Sequence, residues 1–206
     1  MKKPSLYLFL DTTCHLTIGL LDNKFSWVSY QHLQHEKSSQ VIHELIYELV
    51  KKANGSINDL AGVFQVSGPG SYTGMRVGEG IAQILSWQGI ESFSFYHFEV
   101  PGLLEIPTGI WISRAFKGEY FGHQWMKNKN SSSLYSVDAL MAKLRDKDMY
   151  THYLDDLKLE LKTPVTLTSK MIYEQPQKLF SSIEKNKLKR ELYYYRALEQ
   201  EFTKKI

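Results

Sequence analysis

Four glycines, one proline and three serine or threonine residues crowd into the twelve positions from Ser67 to Gly78. An apolar, strand-like run precedes them, Ala61 to Val66, and a helix-like run, Ile81 to Trp87, follows. Such a stretch makes a tight corner out of backbone. Gly68 and Gly70 can take positive φ without a Cβ clash, and Pro69 fixes its own φ between them. Ser71 or Thr73 is expected to cap the next helix by accepting from the unpaired amides of its first turn. A strand, a glycine loop and a helix N-terminus together often hold an anion, and as often simply turn a corner. The generic nucleotide motifs fail here: no Lys backed by Ser or Thr follows the glycines, and no third Gly stands at the dinucleotide spacing from Gly68 and Gly70.

The rest of the N-terminal half surrounds that corner with strands. Leu6 to Leu10 is continuously apolar and reads as a buried strand. Asp11 to Cys14 makes a turn, and Thr17 to Leu21 and Phe25 to Tyr30 read as two further strands. Short turns force these three to run antiparallel, and Ala61 to Val66, reached through a helix, is free to lie parallel to the first. Beyond about Phe98 the signals thin out. Gly109 to Ser113 and Tyr120 to Trp125 read as strands joined by a turn, Lys127 to Ser133 as a polar loop, and Val137 to Arg145 as a helix capped by Ser136. Pro164 to Thr168 reads as a short strand, and Leu179, Phe180 and Ile183 mark a last helix before a tyrosine-rich strand. No internal repeat is visible in the residues themselves.

Two helices carry the argument about partners. The first, Ser39 to Ala53, has apolar residues at Val41, Ile42, Leu45, Ile46, Leu49, Val50 and Ala53, covering about half its circumference at about 100° per residue. That is wider than a sheet alone requires, so a second helix is expected against it. The second helix, 74–88, lines Gly74, Gly78 and Ala82 along one side with Val77, Ile81, Ile84 and Leu85 beside them. Glycine inside a helix costs about 1 kcal/mol relative to alanine, so a close backbone approach is expected there.

The literal string Gly68-Pro69-Gly70-Ser71-Tyr72-Thr73-Gly74-Met75-Arg76-Val77-Gly78 resembles the signature of the bacterial TsaB (YeaZ) family. Leu8-Phe9-Leu10-Asp11-Thr12-Thr13 resembles that family's opening strand and turn, Arg114 to Tyr120 its Asp-Ala-Arg-x-Gly-Glu-Val hairpin, and Leu192 to Arg196 its closing strand. The likeness is strong over residues 5–125 and thin afterwards. Where the family has His-Ser-Glu at the start of the first helix, this chain has Ser38-Ser39-Gln40. The resemblance and the order β-β-β-α-β-α imply an α/β fold of two ribonuclease-H-like lobes of the actin-type ATPase superfamily (ASKHA), the second reduced. Domains are expected at 1–97 and 98–206.

The resemblance also implies a role: a non-catalytic partner subunit in tRNA N6-threonylcarbamoyladenosine modification. It would pair with a TsaD-like enzyme, with a TsaE-like ATPase as a further partner, and reach tRNA only through the complex. The partner interface would lie on Val41, Ile42, Leu45, Ile46, Leu49, Gly74, Val77, Gly78, Ile81, Ala82 and Leu85, and would close a homodimer when the chain is alone. The competing reading is an actin-fold nucleotide enzyme. It would use Asp11, Thr12 and Thr13 with Gly68, Gly70, Ser71 and Thr73 around the phosphates. That enzyme needs a second phosphate loop in the C-terminal half, where no Asp-x-Gly pattern occurs and no glycine follows Gly122. No cofactor is expected in the chain itself, and ATP or ADP only at a partner junction.

Other chemistries find little footing. A metal-binding His-x-x-x-His pair of the TsaD type is missing, because the first helix has only His43, and His32 and His35 lie before it without a third ligand. Gly70-Ser71-Tyr72-Thr73-Gly74 is not a Gly-x-Ser-x-Gly elbow. Cys14 and His15, neighbours in sequence, point to opposite sides of an extended segment. A single cysteine among 206 residues excludes an internal disulfide, and no apolar stretch is as long as a membrane span. A soluble cytoplasmic protein is therefore expected. Net charge is only +3, so the basic residues Lys185, Lys187, Lys189, Arg190, Lys204 and Lys205 read as a solvated face rather than a nucleic-acid surface.

Overall fold

Residues 5–34, 38–115, 118–127, 129–145, 147–159, 161 and 163–195 are described by a computed structural model. They form two units. The first comprises residues up to Tyr96 together with Pro176–Tyr194, and the second runs from His97 to Gln175 and takes up the chain again at Tyr195. The first boundary falls between Tyr96 and His97. The expected second domain 98–206 is interrupted, because 176–194 returns to the first unit.

In the first unit, β1 (Leu6–Asp11), β2 (Leu16–Leu21) and β3 (Trp27–Leu33) precede α1 (Ser38–Lys52), β4 (Leu60–Val66), α2 (Tyr72–Trp87) and β5 (Glu91–Phe95). The sheet order is β3-β2-β1-β4-β5. β1 pairs antiparallel with β2 and parallel with β4, and β4 pairs parallel with β5. β1, β2 and β4 are the central strands because their apolar runs tolerate burial on both faces. Alternation then gives each face its own chemistry. Leu6, Leu8, Leu10, Ile18, Leu20 and Val63 make an aliphatic face that packs on Ile42, Ile46, Leu49 and Val50 of α1 and Ile81, Ala82 and Leu85 of α2.

The opposite face is aromatic. Phe9, Phe25, Trp27, Phe64 and Phe95 converge on one side chain, Phe180, at ring-centre distances of 5.6, 6.5, 5.8, 4.6 and 6.4 Å. Phe180 belongs to the last helix among the described residues, Pro176–Lys185, which is why 176–194 counts with the first unit. After that helix, Leu188 O accepts from Ser94 N and Tyr193 N donates to Ser67 O, so the tail runs along the edge of β5. The expected tyrosine-rich strand is held by these separated bonds rather than a continuous ladder, and Arg196 lies outside the described residues.

The second unit opens with α3 (Val100–Leu103) and continues through β6 (Thr108–Arg114), β7 (Tyr120–Met126), β8 (Lys129–Tyr135), α4 (Val137–Lys143), β9 (Met149–Thr151), α5 (Leu154–Leu157), β10 (Val165–Leu167) and α6 (Thr168–Glu174); the helix Pro176–Lys185 of the first unit is α7. Its sheet order is β10-β9-β6-β7-β8. β6 pairs antiparallel with β7 and parallel with β9, which pairs parallel with β10. Strand for strand this repeats the first sheet, with β6 in the place of β1. The repeat is hidden in the sequence because its members have shrunk: β9 and β10 have three residues each and α5 has four. The segment expected as a polar loop, Lys127 to Ser133, is instead largely β8, an exposed edge strand paired with β7. Phe116 and Lys117 of the expected hairpin lie outside the described residues.

Two predictions follow from these cores. Phe180→Ala empties the centre of an aromatic cluster and should destabilise the first unit by about 3–5 kcal/mol, read as a lower urea midpoint. In the second unit, the His123 ring stacks on Phe98 at 4.3 Å and its Nδ1 lies 2.8 Å from Ser132 Oγ. Burial there lowers its pKa from 6.5 to about 4. Unfolded chains therefore take up a proton near pH 6.5 that the folded unit declines until about pH 4. This group's contribution is intact above pH 6.5 and is lost as pH falls across that window. His123→Phe should flatten the fall in urea midpoint between the two ends of the window.

Candidate functional site

The glycine loop sits on the turn that follows β1. Ser71 is the N-cap of α2, its Oγ accepting from Gly74 N at 3.3 Å, while its own N–H donates to Thr13 O. A Cβ on Gly70 would stand 2.2 Å from Thr13 O, one on Gly74 1.9 Å from Thr12 O, and one on Gly78 2.7 Å from Thr12 Oγ1. These three glycines let the first turns of α2 rest directly on the Asp11–Thr13 turn. The turn is closed from within: Asp11, 1 % exposed, accepts at Oδ1 from Thr13 N at 2.9 Å and Thr13 Oγ1 at 2.6 Å. Gly68 has φ +114° and a Cβ there would meet Met75 Sδ at 2.7 Å.

This geometry corrects two expectations. Asp11, Thr12 and Thr13 do come together with Gly70, Ser71, Gly74 and Gly78, but each segment fills the other's space. Asp11–Thr13 is buried, so the two do not frame an open phosphate cradle. Thr73, offered as an alternative cap, is exposed inside α2. The small-residue stripe of α2 does make a close backbone approach, yet toward Thr12 and not toward another helix. The proposed interface also divides. Ile42, Ile46, Leu49, Ile81, Ala82 and Leu85 are buried in the first unit's own core, with Val41, Leu45 and Val77 partly buried against it. The surface that α1 expected from a second helix is supplied in good part by α2.

What α1 and α2 turn outward is a different set. Tyr47 is 59 % exposed, Ile84 45 % and Trp87 82 %. Trp87 lies one helical turn beyond Ile84 on the same side of α2. Between the helices opens a mainly apolar cleft of about 230 Å³ lined by His43, Tyr47, Ile57, Ile84 and Gln88 above the buried Ile46. Nearby, Arg76 stacks over the rings of Tyr72 and Tyr194, 5.8 Å from each centre. Sequence reasoning passed over Tyr47 and Trp87. The available signal was an aromatic on the outward arc of each helix, where a polar residue is the norm.

Metal and membrane features are limited. Among the described residues no group of three or more His, Cys, Asp or Glu side chains is placed to hold a metal ion. No helix among them is long and apolar enough to cross a membrane. His35 lies outside the described residues. Of the basic tail, Lys187 is engaged with Glu91 at 2.6 Å, and Lys204 and Lys205 are outside them.

Sheet order, strand directions and the shrunken second copy define an α/β protein of two units, each with a ribonuclease-H-like strand order. Within that class the chain has the fold of YeaZ. It superimposes on YeaZ from Pseudomonas aeruginosa with a TM-score of 0.57 at 14 % identity, over 86 % of this chain and 90 % of that one. An uncharacterized protein with similarity to peptidase YeaZ, also from Pseudomonas aeruginosa, gives 0.59 at 14 % identity, over 92 % and 100 %. The family model for TsaD, tRNA N6-adenosine threonylcarbamoyltransferase, matches residues 32–90, the stretch that holds α1, β4 and α2. No curated protein matches.

The glycines make a paired prediction. Gly74→Ala drives a methyl into the Thr12 carbonyl and should destabilise by about 1–3 kcal/mol or more. Gly80→Ala, on the same helix with nothing within 4 Å of the added Cβ, should stabilise by up to about 1 kcal/mol. Thermal melts of the two variants against the parent chain check both signs.

Proposed function

We propose that the chain is a TsaB (YeaZ)-family subunit. It pairs with a TsaD-like enzyme in making N6-threonylcarbamoyladenosine on tRNA and leaves the transfer chemistry to that enzyme. The observation that carries the reading is the outward aromatic and apolar surface of α1 and α2, centred on Tyr47, Ile84 and Trp87. Trp and Tyr are the side chains that dominate binding at protein interfaces. The match to the TsaD family model falls on the two helices that bear this surface. A pairing of like with like, two helices from each chain, suits that correspondence. The buried Asp11 turn and the glycine loop packed against it favour this over the nucleotide-enzyme reading. Nucleotide, if used, belongs at the partner junction, with a TsaE-like ATPase as the further component and tRNA met through the complex.

Without its partner the same surface should pair with a second copy, since large exposed apolar patches drive self-association. Light scattering should give a homodimer for the chain alone and a heterodimer when the TsaD-like protein of the same organism is added. Trp87→Glu should keep the circular dichroism of the parent and weaken both associations by at least about thirtyfold. A monomer indifferent to the TsaD-like protein, at full folding, would overturn the reading.

A further inference from the structure

In the second unit an open cleft of about 400 Å³ lies between α3 with the loop after it and the β7–β8 turn. That size is within the roughly 300–1,000 Å³ of small-molecule sites. Backbone groups build its frame. Ile106 N donates to Pro101 O at 2.9 Å, and Lys127 N donates to Pro107 O at 3.0 Å. The Trp125 indole N–H donates to Ile106 O at 3.0 Å, which ties that ring to the loop after α3. The cleft is thus formed without a ligand, and little ordering is left to oppose binding.

Its walls are mostly apolar and partly flat. Phe98, Leu103, Ile106 and Trp125 line it together with His123. His123 and Trp125 stand two positions apart on β7 and so share a face. The His123 ring is 21° from the plane of Phe98 and 24° from that of Trp125, with centres 4.3 and 6.4 Å away. Histidine is the residue here that calls for a reason. A phenylalanine would stack on Phe98 equally well and bring no ring nitrogens out of water. Burial keeps the imidazole neutral at ordinary pH, its pKa lowered to about 4. Nδ1 is occupied by Ser132 Oγ at 2.8 Å, and Nε2 has no hydrogen bond among the described residues. A neutral imidazole donates or accepts there according to its tautomer. Asn130 adds a side-chain amide to the same lining. No ionic recognition is built in: Glu99 and Glu105 are engaged within the protein, and Lys127 is exposed.

We propose that this cleft binds an uncharged planar heteroaromatic ring, the class that includes indoles and free nucleobases, with its flat side along Phe98, His123 and Trp125 and its polar edge toward His123 and Asn130. The site uses no residue of α1 or α2 and needs no partner chain, so its test stands or falls independently of the pairing.

The full-length chain alone is titrated with indole, with uracil and with cyclohexanol, which has a hydroxyl and similar bulk but no aromatic face. The His123 ring protons and the Trp125 indole N–H are followed by NMR. A saturable shift with a flat ring and none with cyclohexanol is expected; stronger binding of indole assigns a ring held by its faces, and of uracil one held by its polar edge. His123→Phe keeps a stacking ring but no nitrogen, and should weaken binding by about tenfold, read at Trp125. Gly102→Trp tests the place. Gly102 lines the cleft and a Cβ there meets nothing within 4 Å, so the added ring obstructs the cleft without straining the fold. It should abolish the shifts with the circular dichroism unchanged. No saturable shift, a cyclohexanol response equal to that of the flat rings, or binding indifferent to either variant in a folded chain, would overturn the proposal.

Discussion

The contact between α2 and the turn after β1 governs the first unit. Here backbone meets backbone: Gly70 against Thr13, Gly74 against Thr12. No side chain larger than hydrogen fits, so the height and rotation of α2 over the sheet are set by atoms that cannot change rotamer. With α2 fixed, Ile81, Ala82 and Leu85 meet the aliphatic face, and Ile84 and Trp87 are left pointing away from it. Glu79 and Gln83, on a third side, face the serines of the sheet. One helix therefore serves a core, an outward surface and a polar pocket. Their relative placement follows from a few glycines at its N-terminal end.

The sheet beneath sorts its side chains by type as well as by polarity. Leucine, isoleucine and valine face the two helices, where interlocking branched side chains fill the space between packed helices and strands. Phenylalanine and tryptophan face α7, where a single ring, Phe180, has edge and face contacts from five strand or turn positions. Aromatic rings gain from such tilted and T-shaped arrangements beyond their buried area. That gain explains why a helix more than eighty residues away in sequence closes the first sheet. It also explains why a cut at 97/98 could not yield two continuous domains.

Legibility followed burial. β1, β2 and β4 announced themselves because an unbroken apolar run admits no other reading, and the corner after β4 because glycine and proline punctuate so strongly. β5 was missed: Glu91-Ser92-Phe93-Ser94-Phe95 interleaves phenylalanines with serines, and those serines face the polar pocket rather than solvent. β8 reads as a loop because its first five residues are exposed, and an edge strand of that kind has no hydrophobic signature. The stripe Gly74, Gly78 and Ala82 was correctly taken to need a close neighbour, but helical periodicity states which residues share a side and not what lies there. Topology revealed the second copy of the fold only through its strand order, since three-residue strands leave no repeat to find.

The exposed pair Tyr47 and Trp87 then bears on what the molecule is for. Much of α1's broad apolar arc is absorbed by its own sheet and by α2, so width alone no longer argues for a partner. The argument passes to the outer arc. Single exposed apolar residues are ordinary on protein surfaces. Tyr47 and Ile84, however, meet at the rim of one apolar cleft, with Trp87 a turn away. The cleft floor includes Ile46, Ile81 and Leu85, core residues whose edges reach the opening. An incoming aromatic or aliphatic side chain would thus land on the core itself. Such a seat, floored by core side chains, requires little ordering on binding, which is where much of the cost of association usually lies.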